Sequence, residues 1–250
     1  MKTLLAVFAI SAGFISLSTS VPAASAQTGS MISFGHQGEY RGYFVPGKAG
    51  NALSGIVMIH EWWGLNSNIK AEADKYAGAG YNVLAVDLFG KVATTPEEAM
   101  KLVQGLNQPA ATAQLLMAAD YLRTLPNATG RVGSLGWCFG GGQSLNLAIH
   151  DPKLTAAVIY YGQPVTDPQQ LAKITAPILG HFGEADQSIS LTRVTEFDQA
   201  LTAAGVTHQL YTYPGAKHAF ANPTNTNAYN PDAAMLANKR TAEFLQRYLK

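Results

Sequence analysis

The chain holds one cysteine in 250 residues, so no disulfide can form within it. A lone thiol is either an inert buried side chain or a reactive one. Charge is scarce as well. Charged residues make up 13% of the chain, and 17 basic side chains nearly cancel 16 acidic ones. No basic run stands out, which excludes nucleic acid as an expected partner. Clusters of Cys and His with metal-ligand spacing are missing. "HEWWG" begins like the zinc motif H-E-x-x-H, but position 64 is Gly64. No metal and no other cofactor is expected. Past the first residues, no apolar run reaches the roughly 20 residues that cross a bilayer. No repeat or low-complexity tract is found.

The N-terminus is different. Lys2 precedes an uncharged, largely apolar run, Leu4–Leu17, and "PAASAQ" places Ala24 and Ala26 in a small-x-small pattern. Residues 1–26 read as a secretory signal peptide cut after Ala26. The product is then an exported protein, periplasmic or secreted, without a membrane span. Residues 27–250 suit a single domain with a self-sufficient core, expected to act as a monomer.

Within that domain, short apolar or β-branched segments alternate with helical patterns. The segments are Gly55–His60, Tyr81–Leu88, Arg131–Gly136, Thr155–Gly162, Pro177–Gly183 and Val206–Tyr213. Several are apolar on both faces, as in parallel strands covered by helices. Glu39–Pro46 alternates more and is expected to pair antiparallel at the edge. Helices are expected over Asn68–Ala79, Pro96–Leu106, Pro109–Leu125, Gly141–His150, Leu191–Ala204 and Pro231–Leu249. Thr95 before Pro96 is a cap followed by proline at the first helical position. The fold class is therefore α/β, a mainly parallel sheet with helices on both faces. Ligands in such sheets sit at the carboxyl ends of the strands.

The only cysteine lies at such an end. Cys138 sits in "VGSLGWCFGGGQS", among Gly133, Gly136, Gly140, Gly141 and Gly142. "GWCFG" fits G-x-Nu-x-G, the nucleophile elbow, with cysteine for serine. The strand-to-helix turn is sharp and strains the nucleophile's backbone. Gly136 and Gly140 remove side chains that would strike the neighbouring strand and helix. The thiol then projects at a helix N-terminus, where aligned N–H groups favour a negative sulfur. A buried structural cysteine would not need glycines on both sides. Neither G-x-G-x-x-G nor a P-loop pattern can be read here.

An elbow predicts an acid and then a histidine further along the chain. Asp186 follows the strand ending in "LGHFG", and His218 follows the strand ending in "LYTY". His218 would exchange the proton of the thiol, and Asp186 would fix the imidazole's orientation. Glu184 is the rival acid. His181 and His208 fall inside strands, and His36 and His150 lie at apparent turns with nothing to pair with. The oxyanion hole would use the N–H of Phe139 and that of Trp62.

"MIHEWWGLNSNI", "GWCFGG", "GEAD" and "KHAF", in this order, resemble the dienelactone hydrolase family of α/β-hydrolases. The likeness runs from about Tyr40 to the C-terminus. It implies the α/β-hydrolase fold and the triad Cys138, Asp186 and His218. It also implies that Glu61 contacts the thiol and controls its ionisation. Without the family, Glu61 would read as a polar loop residue or a cap for the next helix. Beside Trp62 and Trp63 it would be partly desolvated, which raises a carboxyl pKa. The family's dienelactone-cleaving members grip a substrate carboxylate with two arginines. The matching substrate-binding positions here are Lys91 and Asn222, so the fork of one and the charge of the other are gone. The expected activity is hydrolysis of a small-molecule ester or lactone. The alternatives are a non-catalytic exported binding protein and a thiol sensor, though no second cysteine is present to resolve an oxidised one.

Overall fold

Segments that are apolar on both faces have only one way to bury both, which is between two helical layers. The computed structural model describes residues 28–48 and 52–250. The signal-peptide reading of residues 1–26 lies outside the described residues. The strands are β1 (Ser30–Phe34), β2 (Tyr40–Val45), β3 (Leu53–Ile59), β4 (Asn82–Val86), β5 (Ala128–Trp137), β6 (Ala156–Tyr160), β7 (Ile178–Gly183) and β8 (His208–Tyr213). They form one sheet in the order β1-β2-β4-β3-β5-β6-β7-β8. β3 to β8 run parallel, and β2 is antiparallel to both β1 and β4. β2 therefore pairs as its alternation predicts, but it is not the edge. β1 covers its outer side.

Helices α1 (Ser67–Gly78), α2 (Pro96–Gln104), α3 (Gln108–Arg123), α4 (Phe139–His150), α5 (Pro168–Leu171), α6 (Leu191–Ala203) and α7 (Pro231–Leu249) fill the connections. α1 and α7 pack Ile69, Tyr76, Phe244 and Leu245 against one face of the sheet. α3, α4 and α6 pack Leu115, Leu122, Leu147, Phe197 and Leu201 against the other. Every residue of β4, β6 and β7 is buried, as the two-layer cover requires. Thr95 caps α2 by accepting the Glu98 N–H, with Pro96 at the first position. Asn66 caps α1 through the Ile69 N–H at 3.1 Å, so Glu61 is not the cap of that helix. The parallel order gathers the segments after β3, β5, β6, β7 and β8 at one edge of the sheet.

Candidate active site

Cys138 leaves β5 and enters α4 with φ 55° and ψ −118°. This backbone geometry costs an L residue on the order of 1–3 kcal/mol and persists only where its surroundings enforce it. Here they do. The Cys138 N–H donates to the Tyr160 carbonyl at 2.9 Å, and its own carbonyl accepts from Gly141 and Gly142 at 3.0 and 3.2 Å. A Cβ on Gly136 would lie 2.0 Å from the Gly140 carbonyl oxygen, and one on Gly140 would lie 2.2 Å from that of Ile59. Both elbow glycines are sterically required. Cys138 itself is half-buried.

The imidazole of His218 comes from the loop after β8. Its Nδ1 lies 2.7 Å from one carboxylate oxygen of Asp186, which comes from the loop after β7. The other oxygen accepts the Ser188 and Ile189 N–H groups at 2.7 and 3.0 Å. Glu184, the rival, is exposed and accepts the Thr212 hydroxyl at 2.9 Å. Asp186 is therefore the acid held against His218. With Nδ1 engaged, Nε2 is the nitrogen left for the thiol. Burial on its own would depress the His218 pKa, but the hydrogen bonds and charges of Asp186 and Cys138 outweigh it and raise it to about 10. Burial on its own would raise the Asp186 pKa. The hydrogen bond and charge of His218, with the two backbone donors, hold it below the usual carboxylate range.

Glu61 follows β3. A tight turn closes behind it, with the Gly64 N–H on the Glu61 carbonyl at 3.2 Å. Gly64 has φ +91°, and a Cβ there would meet the Lys91 carbonyl oxygen at 2.3 Å. The Glu61 carboxylate accepts the Asn222 side-chain amide at 2.5 Å. Burial raises its pKa to about 7, against the opposing pull of Asn222 and of the His218 charge. Glu61, Trp62, Cys138, Phe139, His218 and Asn222 all border one cavity of about 730 Å³.

The dienelactone hydrolase family profile matches residues 41–249. The chain belongs to the dienelactone hydrolase family. It is 32% identical to "Protein usf" of Aquifex pyrophilus, over 88% of this chain and 99% of that protein. It is 28% identical to a provisionally named carboxymethylenebutenolidase of Methylorubrum extorquens, over 80% of this chain and 74% of the relative. A solved structure from Klebsiella pneumoniae, provisionally named a dienelactone hydrolase, superposes with a TM-score of 0.76 at 26% identity. That match covers 88% of this chain and 98% of the other. The protein is thus a hydrolase of the α/β-hydrolase fold.

Of the two family positions, one stands away from the cavity and one borders it. Lys91 is exposed and does not border the cavity. Its backbone packs on the Gly64 turn, and its charge acts on Glu98 at the surface. Asn222 does border the cavity, and its amide is partly committed. Its nitrogen donates to Glu61, and its oxygen accepts from the N–H and hydroxyl of Thr224 at 2.9 and 2.7 Å. Asn222 thus holds Glu61 and keeps one N–H beyond that bond.

Four of the other histidines are held by protein groups away from the thiol. His60 is buried, its ring bridging the Glu61 carbonyl and the Leu88 N–H. His181 lies between the hydroxyls of Tyr213 and Thr241 at 2.8 and 3.0 Å. Burial and the Arg240 charge push its pKa down to about 3. His208 pairs with Asp198, and His150 is the last residue of α4 rather than part of a turn. Among the described residues no group of three metal-ligating side chains forms.

The sequence reading missed Tyr161. It follows β6 with φ 38°, fully buried, and its ring meets that of His218 edge-on at 5.2 Å. Its signal was positional. It is the residue just past a parallel strand, at the edge where the other site residues stand.

Proposed function

We propose that this hydrolase cleaves ester or lactone bonds through a thiol nucleophile. Cys138 is the nucleophile, His218 its proton partner and Asp186 the acid that orients the ring. The observation that carries this reading is the 2.7 Å Asp186–His218 hydrogen bond beside a cysteine held at φ 55°.

The Cys138 sulfur attacks the substrate carbonyl while the imidazolium of His218 balances its charge. The carbonyl oxygen becomes an oxyanion, which the N–H groups of Phe139 and Trp62 stabilise. The C–O bond then breaks, and His218 gives its proton to the departing alkoxide. A water attacks the thioester, His218 takes one of its protons, and the acid leaves with the sulfur restored as thiolate. Esters and lactones suit this better than amides, because a thiolate leaves the tetrahedral intermediate more readily than an amine. Glu61 shares a proton with the site near neutral pH, where burial has poised it.

The test is turnover of p-nitrophenyl acetate. Cys138→Ala abolishes it, and Cys138→Ser leaves a weak remainder. Turnover that survives Cys138→Ala places the chemistry elsewhere. The exported form is proposed to start at Gln27, which sequencing of the mature N-terminus checks.

A further inference from the structure

One stretch of the cavity wall is made of side-chain amides. Gln108 opens α3, and Gln143 and Asn146 lie on α4 beyond the elbow. Gln108 Nε2 donates to Gln143 Oε1 at 2.9 Å, and Gln143 Nε2 donates back to Gln108 Oε1 at 2.8 Å. Thr112 Oγ1 accepts from Gln108 Nε2 at 3.3 Å and from Asn146 Nδ2 at 3.0 Å. Asn146 Nδ2 also reaches Gln143 Oε1 at 3.4 Å.

A primary amide has two N–H donors and one carbonyl acceptor. Both donors of Gln108 and both of Asn146 are spent in this network. One N–H of Gln143 and the carbonyl oxygen of Asn146 are left without a protein partner among the described residues. Gln143 is only 7% exposed and borders the cavity, so a ligand that displaces water from it must supply the hydrogen bond or bear the cost of leaving it unmade.

Charge is distributed the other way. No lysine or arginine borders the cavity among the described residues. The one cationic ring, His218, is already matched by Asp186, and Glu61 adds a carboxyl to the same wall. A substrate carboxylate would give up water here and find no free cation. Trp62, Trp63, Val103 and Val165 supply apolar contact instead.

We propose that the site selects uncharged esters or lactones whose tail carries a hydroxyl or amide, read by Gln143 and Asn146, and discriminates against acids that carry a carboxylate. This rests on the hydrolase chemistry above and names its substrate class.

The test compares two isosteric esters, p-nitrophenyl 5-carbamoylpentanoate and p-nitrophenyl 5-carboxypentanoate, at pH 7.5. The carbamoyl ester is expected to show a kcat/KM at least about tenfold higher, the cost of one unpaired buried charge or more. Equal values for the pair overturn the inference while leaving the hydrolase reading standing. Absence of turnover with both, and with p-nitrophenyl acetate, overturns the two together.

Two substitutions examine the wall itself. Gln143→Met removes the free N–H. The carbamoyl ester is then expected to lose about fivefold of its advantage over p-nitrophenyl heptanoate, as one hydrogen bond would give. An unchanged ratio means that Gln143 does not read the tail. Gln143→Lys adds an ammonium and is expected to move the ratio toward the carboxylate by about tenfold, through KM. Gln163→Lys, at an exposed position bordering the same cavity, keeps that arm decisive if Gln143→Lys fails a circular dichroism check of folding. A ratio that neither lysine moves counts against the proposal.

Discussion

Two carboxyl groups stand around the half-buried thiol's site, Glu61 on the cavity wall and Asp186 behind His218, and they carry opposite electrostatics. Both expose little surface, but Glu61 lies deeper among protein atoms than Asp186, so desolvation weighs more on it. Their donors widen the difference. Asp186 accepts two backbone N–H groups and the imidazole of His218. Glu61 accepts one amide, from Asn222. Desolvation pushes both toward the neutral acid. Three donors, one of them cationic, overcome it at Asp186, whereas one neutral donor and the His218 charge do not at the deeper Glu61. One carboxyl is held ionised as a fixed support. The other is poised to exchange a proton near pH 7.

Removing the charge of Asp186 is the strongest way to break this contrast. Asp186→Asn keeps the shape but cannot hold an imidazolium, and kcat for p-nitrophenyl acetate is expected to fall by about 10³- to 10⁴-fold with circular dichroism unchanged. Glu184→Gln, at an exposed residue bonded to Thr212, serves as the matched control and is expected to stay within about twofold. A larger loss in Glu184→Gln than in Asp186→Asn would transfer the orienting role to Glu184.

A smaller effect is expected in stability. The Glu61 pKa rises on folding from its ordinary 4.5 to about 7. A raised acid contributes stability below its unfolded pKa and loses that contribution as pH climbs through its folded pKa. Between pH 5 and pH 8, the wild type should therefore lose about 2–3 kcal/mol that Glu61→Gln does not lose. His218, raised to about 10, drifts in the same sense across that window in both proteins, so most of its contribution drops out of the difference. Urea melts of the two proteins at both pH values measure it. Parallel pH dependences would mean that Glu61 is ionised throughout, like Asp186.

How much of this site the sequence discloses depends on the range of the interaction that makes it. The elbow is local, since Gly136 and Gly140 clear space within two residues of Cys138. Asp186 and His218 are distant in sequence, yet each directly follows a parallel strand, and strand order alone brings them together. β1 escaped notice because "SMISF" is short and buries chiefly Phe34, leaving little periodicity to read. α5 is four residues long, too few to show a helical period. Lys91 matched a family position by its place after β4, but the loop turns its side chain to solvent. The Asn222–Glu61 bond and the Gln108–Gln143 pair join residues 161 and 35 positions apart, and no local pattern announces either.

The smallest expected effect isolates the single donor of Glu61. Asn222→Asp keeps size and keeps an oxygen for the Thr224 N–H and hydroxyl, so the turn holds. It replaces the amide that donates to Glu61 with a second carboxyl. Two acids then share one buried place, and the apparent midpoint of the pair rises because both cannot ionise side by side. An upward shift of about one pH unit is expected, worth about 1.4 kcal/mol. A ¹³C NMR titration of the side-chain carboxyls reads it without reference to turnover, with Glu61→Gln identifying the resonance. If the midpoint stays near 7, the Asn222 amide contributes nothing to the charge of Glu61, and the number of donors is not what distinguishes the two acids.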